Sequence, residues 1–140
     1  MKKPTTIRLP EATRQALELI AQRDCRDLSG IINEMLDESL RMRRIPGIVF
    51  ADGATGRRAR VAGTGLDVFE VFAAFQAVGE DLQALRDGYS WLTEPQLRAA
   101  LAYARAYPAE ISERLDREKA WTEETLRTQF PFTAPPCAST

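Results

Sequence analysis

Side chains of the first nine residues alternate between an apolar face and a polar face if the segment is extended. Successive side chains of an extended segment point to opposite faces, so one face carries Ile7 and Leu9 and the other carries Thr6 and Arg8. No hairpin partner follows, because Pro10 leads directly into a helical pattern. A lone short strand leaves its backbone N–H and C=O groups unpaired. The pattern therefore predicts an antiparallel ribbon made by two copies of the chain.

Two helical patterns follow the predicted strand. Apolar residues recur every three or four positions over residues 11–23, which is typical of an amphipathic helix. Residues 24–27 break the pattern, Ser29 offers an N-cap, and a second helix is predicted from Gly30 to about Arg43. One strand and two helices within residues 1–44 are too little to bury a core alone. We therefore expect an obligate homodimer.

Cationic charge is concentrated at the start of the chain. Residues 1–44 hold nine Lys or Arg against seven Asp or Glu, while the remainder holds ten against thirteen, and the whole chain has a net charge of −1. A two-stranded ribbon is narrow enough to enter the major groove of double-stranded DNA. The residues expected to contact DNA in this arm are Lys2, Lys3, Pro4, Thr6 and Arg8. The alternative interpretation is a frayed terminus that is merely solvated.

The first third of the chain resembles a known family of DNA-binding domains. The run that carries the resemblance is TTIRLPEATRQALELIAQRDCRDLSGIINEMLDESLRMRR, and it is similar to ribbon-helix-helix domains of the CopG, Arc and MetJ kind. In such domains outward strand residues reach base edges, which implies this role for Thr6 and Arg8. In these domains the N-terminus of the second helix also holds a phosphate, which implies this role for Leu28, Ser29 and Gly30. Helix termini also favour phosphate on physical grounds alone.

A second domain is predicted after residue 44. Pro46 and Gly47 interrupt the helix, strands are predicted at residues 48–50 and 57–61, and a loop is predicted at residues 51–56. The predicted helices cover residues 68–78 after an Asp67 cap, residues 81–88, a stretch opened by Thr93, and residues 108 to about 119.

The predicted fold class is therefore mainly α. It comprises a ribbon-helix-helix over residues 1–44, a small helical domain with an N-terminal β-hairpin over residues 45–119, and a tail over residues 120–140.

Residues 45 to about 110 resemble a second family, domain of unknown function number 433, which is often found in VapB-like antitoxins. The matching features are the Gly63-Thr64 turn, the amphipathic helix after it, Gly79-Glu80, and the run LTEPQLRAALAYA from residue 92. The resemblance implies a compact three-helix unit similar to a helix-turn-helix domain. Relatives are expected to use it for DNA, for dimerisation or for a partner.

Three arginines of the predicted hairpin have several open interpretations. They are Arg57, Arg58 and Arg60. In order of preference, they belong to a solvated hairpin, to a second DNA contact, or to a contact with a partner protein.

The composition gives enzyme chemistry little support. The chain has no histidine, which removes the commonest general base and metal ligand. Cys25 and Cys137 lie far apart, so we expect plain thiols and neither metal nor cofactor. The N-terminus does not resemble a signal peptide, and no apolar run reaches membrane-spanning length. We expect a cytoplasmic protein that is not an enzyme and does not bind membranes.

Aromatic residues mark the otherwise polar tail. They either pack on the preceding helices or await a groove on another protein. In a VapB-like antitoxin, the implied partner is a PIN-type ribonuclease, whose metal site is a cluster of carboxylates. A guanidinium on an apolar-anchored segment would pair bidentately with such a cluster. The residues that fit are Trp121, Leu126, Arg127, Phe130 and Phe132.

Taken together, the sequence predicts a homodimeric transcriptional repressor that binds an operator. We expect it to be the autoregulating antitoxin of a type II toxin–antitoxin pair. Two other functions stay open, namely a stand-alone repressor of phage or plasmid type, and a dimeric protein-interaction module without DNA binding.

Overall fold

A computed structural model describes residues 3–53, 56–120, 125 and 128–129. Within these ranges the chain is mainly helical, with six helices and one two-stranded antiparallel sheet, which confirms the predicted fold class at this level. The chain divides into two compact units, Met1–Arg44 (unit 1) and Ile45–Thr140 (unit 2).

Unit 1 contains helices α1 (Glu11–Arg23) and α2 (Leu28–Arg44). The bounds of α1 are those predicted, but α2 begins two residues earlier than predicted. The N–H of Ile31 donates to the carbonyl of Asp27 at 3.2 Å, so the helical hydrogen bonds start from Asp27. The prediction that Ser29 caps α2 is therefore wrong, because Ser29 already lies inside the first turn.

Residues 3–10 belong to neither a helix nor a sheet of the single chain. All of them are exposed except Leu9, which is half-buried. The predicted ribbon requires two chains, so it stays a prediction.

Unit 2 begins with the hairpin of β1 (Ile48–Gly53) and β2 (Gly56–Val61). The register runs from Ile48 opposite Val61 to Gly53 opposite Gly56. The predicted loop over residues 51–56 is wrong, because antiparallel pairing continues through its first three residues and its last one.

Four helices complete unit 2: α3 (Val68–Ala77), α4 (Leu82–Gly88), α5 (Glu94–Ala106) and α6 (Pro108–Ala120). Thr93 caps α5 as predicted, since the N–H of Gln96 donates to the Thr93 hydroxyl at 3.3 Å and the Thr93 N–H donates to the Gln96 amide oxygen at 2.9 Å. Asp81 precedes α4 and caps it instead of opening it.

The hydrophobic core of unit 2 lies between the hairpin and the helices. Its fully enclosed members are Val61, Val68, Val71, Ala100 and Tyr103. Further buried side chains come from every helix of the unit, including Phe75, Leu85, Leu97 and Ile111. Packing in this core sets the positions of β2, α3 and α6 relative to one another.

Gly47 allows the chain to turn into β1. Its φ is +99°, and a Cβ at this position would lie 3.1 Å from the Cβ of Ala99. Its carbonyl accepts the N–H of Ala62 at 2.8 Å. The positive φ therefore favours glycine here, and the close approach of α5 leaves little room for a side chain.

None of the described helices combines the length and the apolar character that are needed to cross a membrane.

Candidate nucleic-acid and partner surfaces

The predicted DNA-contacting arm is exposed. Lys3, Pro4, Thr6 and Arg8 all face solvent, while Lys2 lies outside the described residues. Among the described residues, neither Lys3 nor Arg8 forms an ion pair. Two cationic side chains are thus available to an anionic partner.

The N-terminus of α2 is the predicted phosphate site. The N–H groups of Leu28, Ser29 and Gly30 precede the first helical donor, so they have no acceptor within the helix. Ser29 is exposed, and the other two are half-buried. A carboxylate already lies at this end, because Oδ1 of Asp27 is 2.7 Å from where a Cβ of Gly30 would be. The helix dipole favours this carboxylate as it would favour a phosphate.

Arg26 forms an ion pair and a hydrogen bond with residues of α2. Its guanidinium forms an ion pair with Glu34 and donates to the carbonyl of Gly30 at 3.4 Å. The hydrogen bond with Glu34 is the main cause that raises the pKa of Arg26 above its ordinary value, against the opposing effect of desolvation. Arg26 therefore ties the turn between the helices to α2.

Unit 1 leaves a large apolar surface in solvent. Leu19 is 67% exposed, Leu36 is 54% exposed and Leu40 is 68% exposed. Ile7 and Met35 are also exposed, whereas Ala21 and Ile31 are the fully buried apolar residues among those described in this unit. Leu36 and Leu40 are four residues apart in α2 and therefore share one face of that helix, and large exposed apolar side chains of this kind mark a candidate interaction site. We call Leu19, Met35, Leu36 and Leu40, together with Ile7, the apolar face of unit 1.

The hairpin arginines have partners within unit 2. Nε of Arg58 lies 3.0 Å from Oδ2 of Asp67, and Nε of Arg60 lies 3.1 Å from Oδ1 of the same residue. Asp67 is only 3% exposed, so two guanidinium groups hold one buried carboxylate. Nη1 of Arg57 forms a cross-strand pair with Asp52 at 3.1 Å.

Asp67 was expected only to cap α3, and its role as the counter-ion of β2 was missed. The reciprocal part of the cap is present, because the Asp67 N–H donates to Oε2 of Glu70 at 2.9 Å. Along β2, Ala59 and Val61 are buried while Arg58 and Arg60 share the other face, so the alternation places the two arginines together but does not identify Asp67 as their partner. Arg58 and Arg60 thus join the hairpin to α3.

The remaining candidate partner residues belong to the predicted tail. Trp121, Leu126, Arg127, Phe130 and Phe132 lie outside the described residues. No cluster of three or more His, Cys, Asp or Glu that could hold a metal ion occurs in the part of the chain that is described.

Comparisons with known proteins give no match: no family model, curated protein or solved structure is similar to the chain.

Proposed function

We propose that this chain is a dimeric DNA-binding transcriptional repressor. Its unit 1 is a ribbon-helix-helix in which residues 3–10 pair with the same segment of a second copy. The observation that carries the proposal is the apolar face of unit 1, which two helices of one chain leave in water.

A second copy of the chain is the proposed binding partner of this face. The unpaired segment 3–10 needs another strand, and an identical segment supplies one in antiparallel register. Ile7 lies on the apolar side of that segment, as the leucines do on their helices. A single symmetric dimer then pairs the backbones of the two segments and also covers the apolar face.

DNA is proposed to meet the opposite side of the ribbon. Arg8 and Thr6 alternate with Ile7, so burial of Ile7 between copies directs both outward. The exposed cations Lys3 and Arg8 occur twice in a dimer, and phosphate contacts by such residues make binding weaken as salt rises.

The experiment that tests DNA reading is a gel-shift titration of Arg8→Ala on the promoter of the protein's own gene. Arg8 is exposed, so the dimer should stay folded. We expect the variant to lose about 1–3 kcal/mol of operator binding and to discriminate less at one base position per half-site.

Arg14→Ala is the matched control for that titration. It removes the same charge from the same unit, and Arg14 is an exposed residue of α1 paired with Glu18. Equal losses in the two variants would contradict base reading by Arg8. Failure of the unaltered protein to bind the promoter in a salt-dependent way would favour an interaction module that does not use DNA.

We further propose that the repressor is the antitoxin of a toxin–antitoxin pair. The support is the order of the segments along the chain, in which the proposed DNA-binding unit precedes a compact second unit and a tail that contains aromatic residues. The proposed partner is a PIN-type ribonuclease, whose carboxylate cluster would pair with Arg127.

Truncation after Lys119 tests the antitoxin proposal. Co-expressed nuclease should become active, whereas operator binding should stay within about threefold of the full chain, because unit 1 is intact. Neutralisation that survives truncation would exclude the tail, and absence of any copurifying protein would favour the stand-alone repressor.

A further inference from the structure

A small pocket opens in unit 2 between β2 and α6. Its volume is about 170 Å³. Apolar side chains line part of it, among them Phe69 of α3 and Ile111 of α6. The pocket thus combines an apolar surface with the charged residues of two neighbouring elements.

Arginine dominates the charged lining of the pocket. Arg57 and Arg58 come from β2, and Arg114 and Arg117 come from α6. Two glutamates also line it, which leaves a formal charge of +2 on the lining residues. One of them, Glu110, accepts a hydrogen bond from the hydroxyl of the buried Tyr103 at 2.6 Å, which holds that carboxylate toward the core.

Arg114 is held in place at the pocket. Its side chain is 12% exposed, its Nη2 lies 3.1 Å from Oε1 of Glu118, and its Cζ lies 5.0 Å from the ring centroid of Phe69. A guanidinium over an aromatic face is stabilised by the ring quadrupole. Arg114 is therefore positioned in advance and loses little side-chain freedom when a ligand binds.

One arginine donor at this pocket lacks an acceptor. Nε of Arg114 is buried and has no hydrogen-bond acceptor, whereas Nε of Arg58 lies 3.0 Å from the Asp67 carboxylate. A buried donor without an acceptor is costly. An anionic oxygen beside Nε of Arg114 would recover that cost.

We propose that this pocket binds a small organic monocarboxylate. The carboxylate pairs with the arginines, and the apolar body lies against Phe69 and Ile111. A cavity of about 150 Å³ accommodates a benzene ring, so the size suits one ring or a short aliphatic chain. The two glutamates of the lining, and the carboxylates that already pair with Arg58 and Arg114, oppose a polyphosphate or a DNA backbone, which brings several negative charges.

The test is an NMR titration of the full-length protein with four probes: benzoate, acetate, benzyl alcohol and inorganic phosphate. We expect benzoate to shift the amide signals of residues 57–59 and 110–117 and to bind at least about tenfold more tightly than each other probe. Equal binding of benzyl alcohol would overturn the ionic contact. Binding of phosphate or acetate as tight as that of benzoate would overturn the role of the apolar body.

Two variants locate the site, and a third serves as control. Arg114→Gln should weaken benzoate about tenfold. Arg117→Gln should weaken it about threefold, and its exposed position keeps the fold intact. Arg98→Gln removes an arginine of similar exposure (63% against 58%), also from an i,i+4 pair with glutamate, but away from the pocket. The same affinity in Arg117→Gln and Arg98→Gln, or no shifts with benzoate, would overturn the proposal.

Discussion

Asp27 determines the local electrostatics of the predicted phosphate site. Its carboxylate lies beside Gly30 at the N-terminus of α2, where the helix dipole and three free N–H groups favour negative charge. A phosphate that approached these groups would meet a like charge. The same residue thus stabilises the free helix and opposes the proposed ligand.

Asp27→Asn should therefore tighten DNA binding. Asparagine caps helices about as well as aspartate, so the stability of α2 should change little. Removal of one like charge per helix end should raise operator affinity by about three- to tenfold at low salt, measured by fluorescence anisotropy.

Asp37→Asn provides the control, because it makes the same charge change on α2 at an exposed residue paired with Arg41. An equal gain in both variants would mean that only net charge matters and that phosphate does not approach Asp27.

At the scale of elements, local signals predicted most of the structure. The bounds of α1 and the Thr93 cap of α5 follow from neighbouring residues, and both predictions are confirmed. The end of β1 was placed three residues too early, since its last pairs depend on β2 and not on local propensity. Residue type could not distinguish Ser29 from Asp27 at the start of α2, because serine and aspartate are about equally good caps.

In the candidate site, too, local sequence signals do not predict contacts between separate elements. Arg8 is exposed, but Ile7 on the opposite face of the segment is exposed as well, so the predicted alternation of burial needs the second copy. The pairing of Arg58 and Arg60 with Asp67 could not be predicted from residue type, because it depends on how α3 begins beside β2.

Asp67→Asn tests how far that ion pair holds the hairpin to α3. The substitution keeps a capping side chain but leaves two half-buried guanidinium groups without their counter-ion. We expect the free energy of unfolding of unit 2 to fall by about 1–3 kcal/mol. Urea unfolding followed by circular dichroism gives the value.

Asp52→Asn is the control, because it removes the carboxylate that pairs with Arg57 and is more exposed than Asp67. It should lower the free energy of unfolding by less than about 1 kcal/mol. If the two variants lose the same stability, the buried pair contributes no more than a surface pair.

The whole molecule contains two units with different sources of stability. Unit 2 has a core made by its own hairpin and helices. Unit 1 exposes its apolar face, so its stability should depend on the concentration of the second copy.

Leu36→Glu should dissociate the proposed dimer. The exposed leucine of a monomer tolerates glutamate, whereas a leucine covered by a second copy would leave a charge buried without a partner. We expect the dimer dissociation constant, measured by analytical ultracentrifugation, to rise at least about a hundredfold.

Asn33→Glu adds the same charge to an exposed position of the same helix and should leave the dimer intact. A Leu36→Glu protein that stays dimeric would show that the second copy does not cover the apolar face.

The core of unit 2 also has an evolutionary consequence. Its described members all come from Ile45 onward. Substitutions in residues 3–10 therefore change the exposed arm without forcing compensatory changes in that core. Recognition by the arm and the packing of unit 2 can diverge at different rates, so a new binding preference can arise by drift in a short segment while the rest of the sequence stays under selection for its fold.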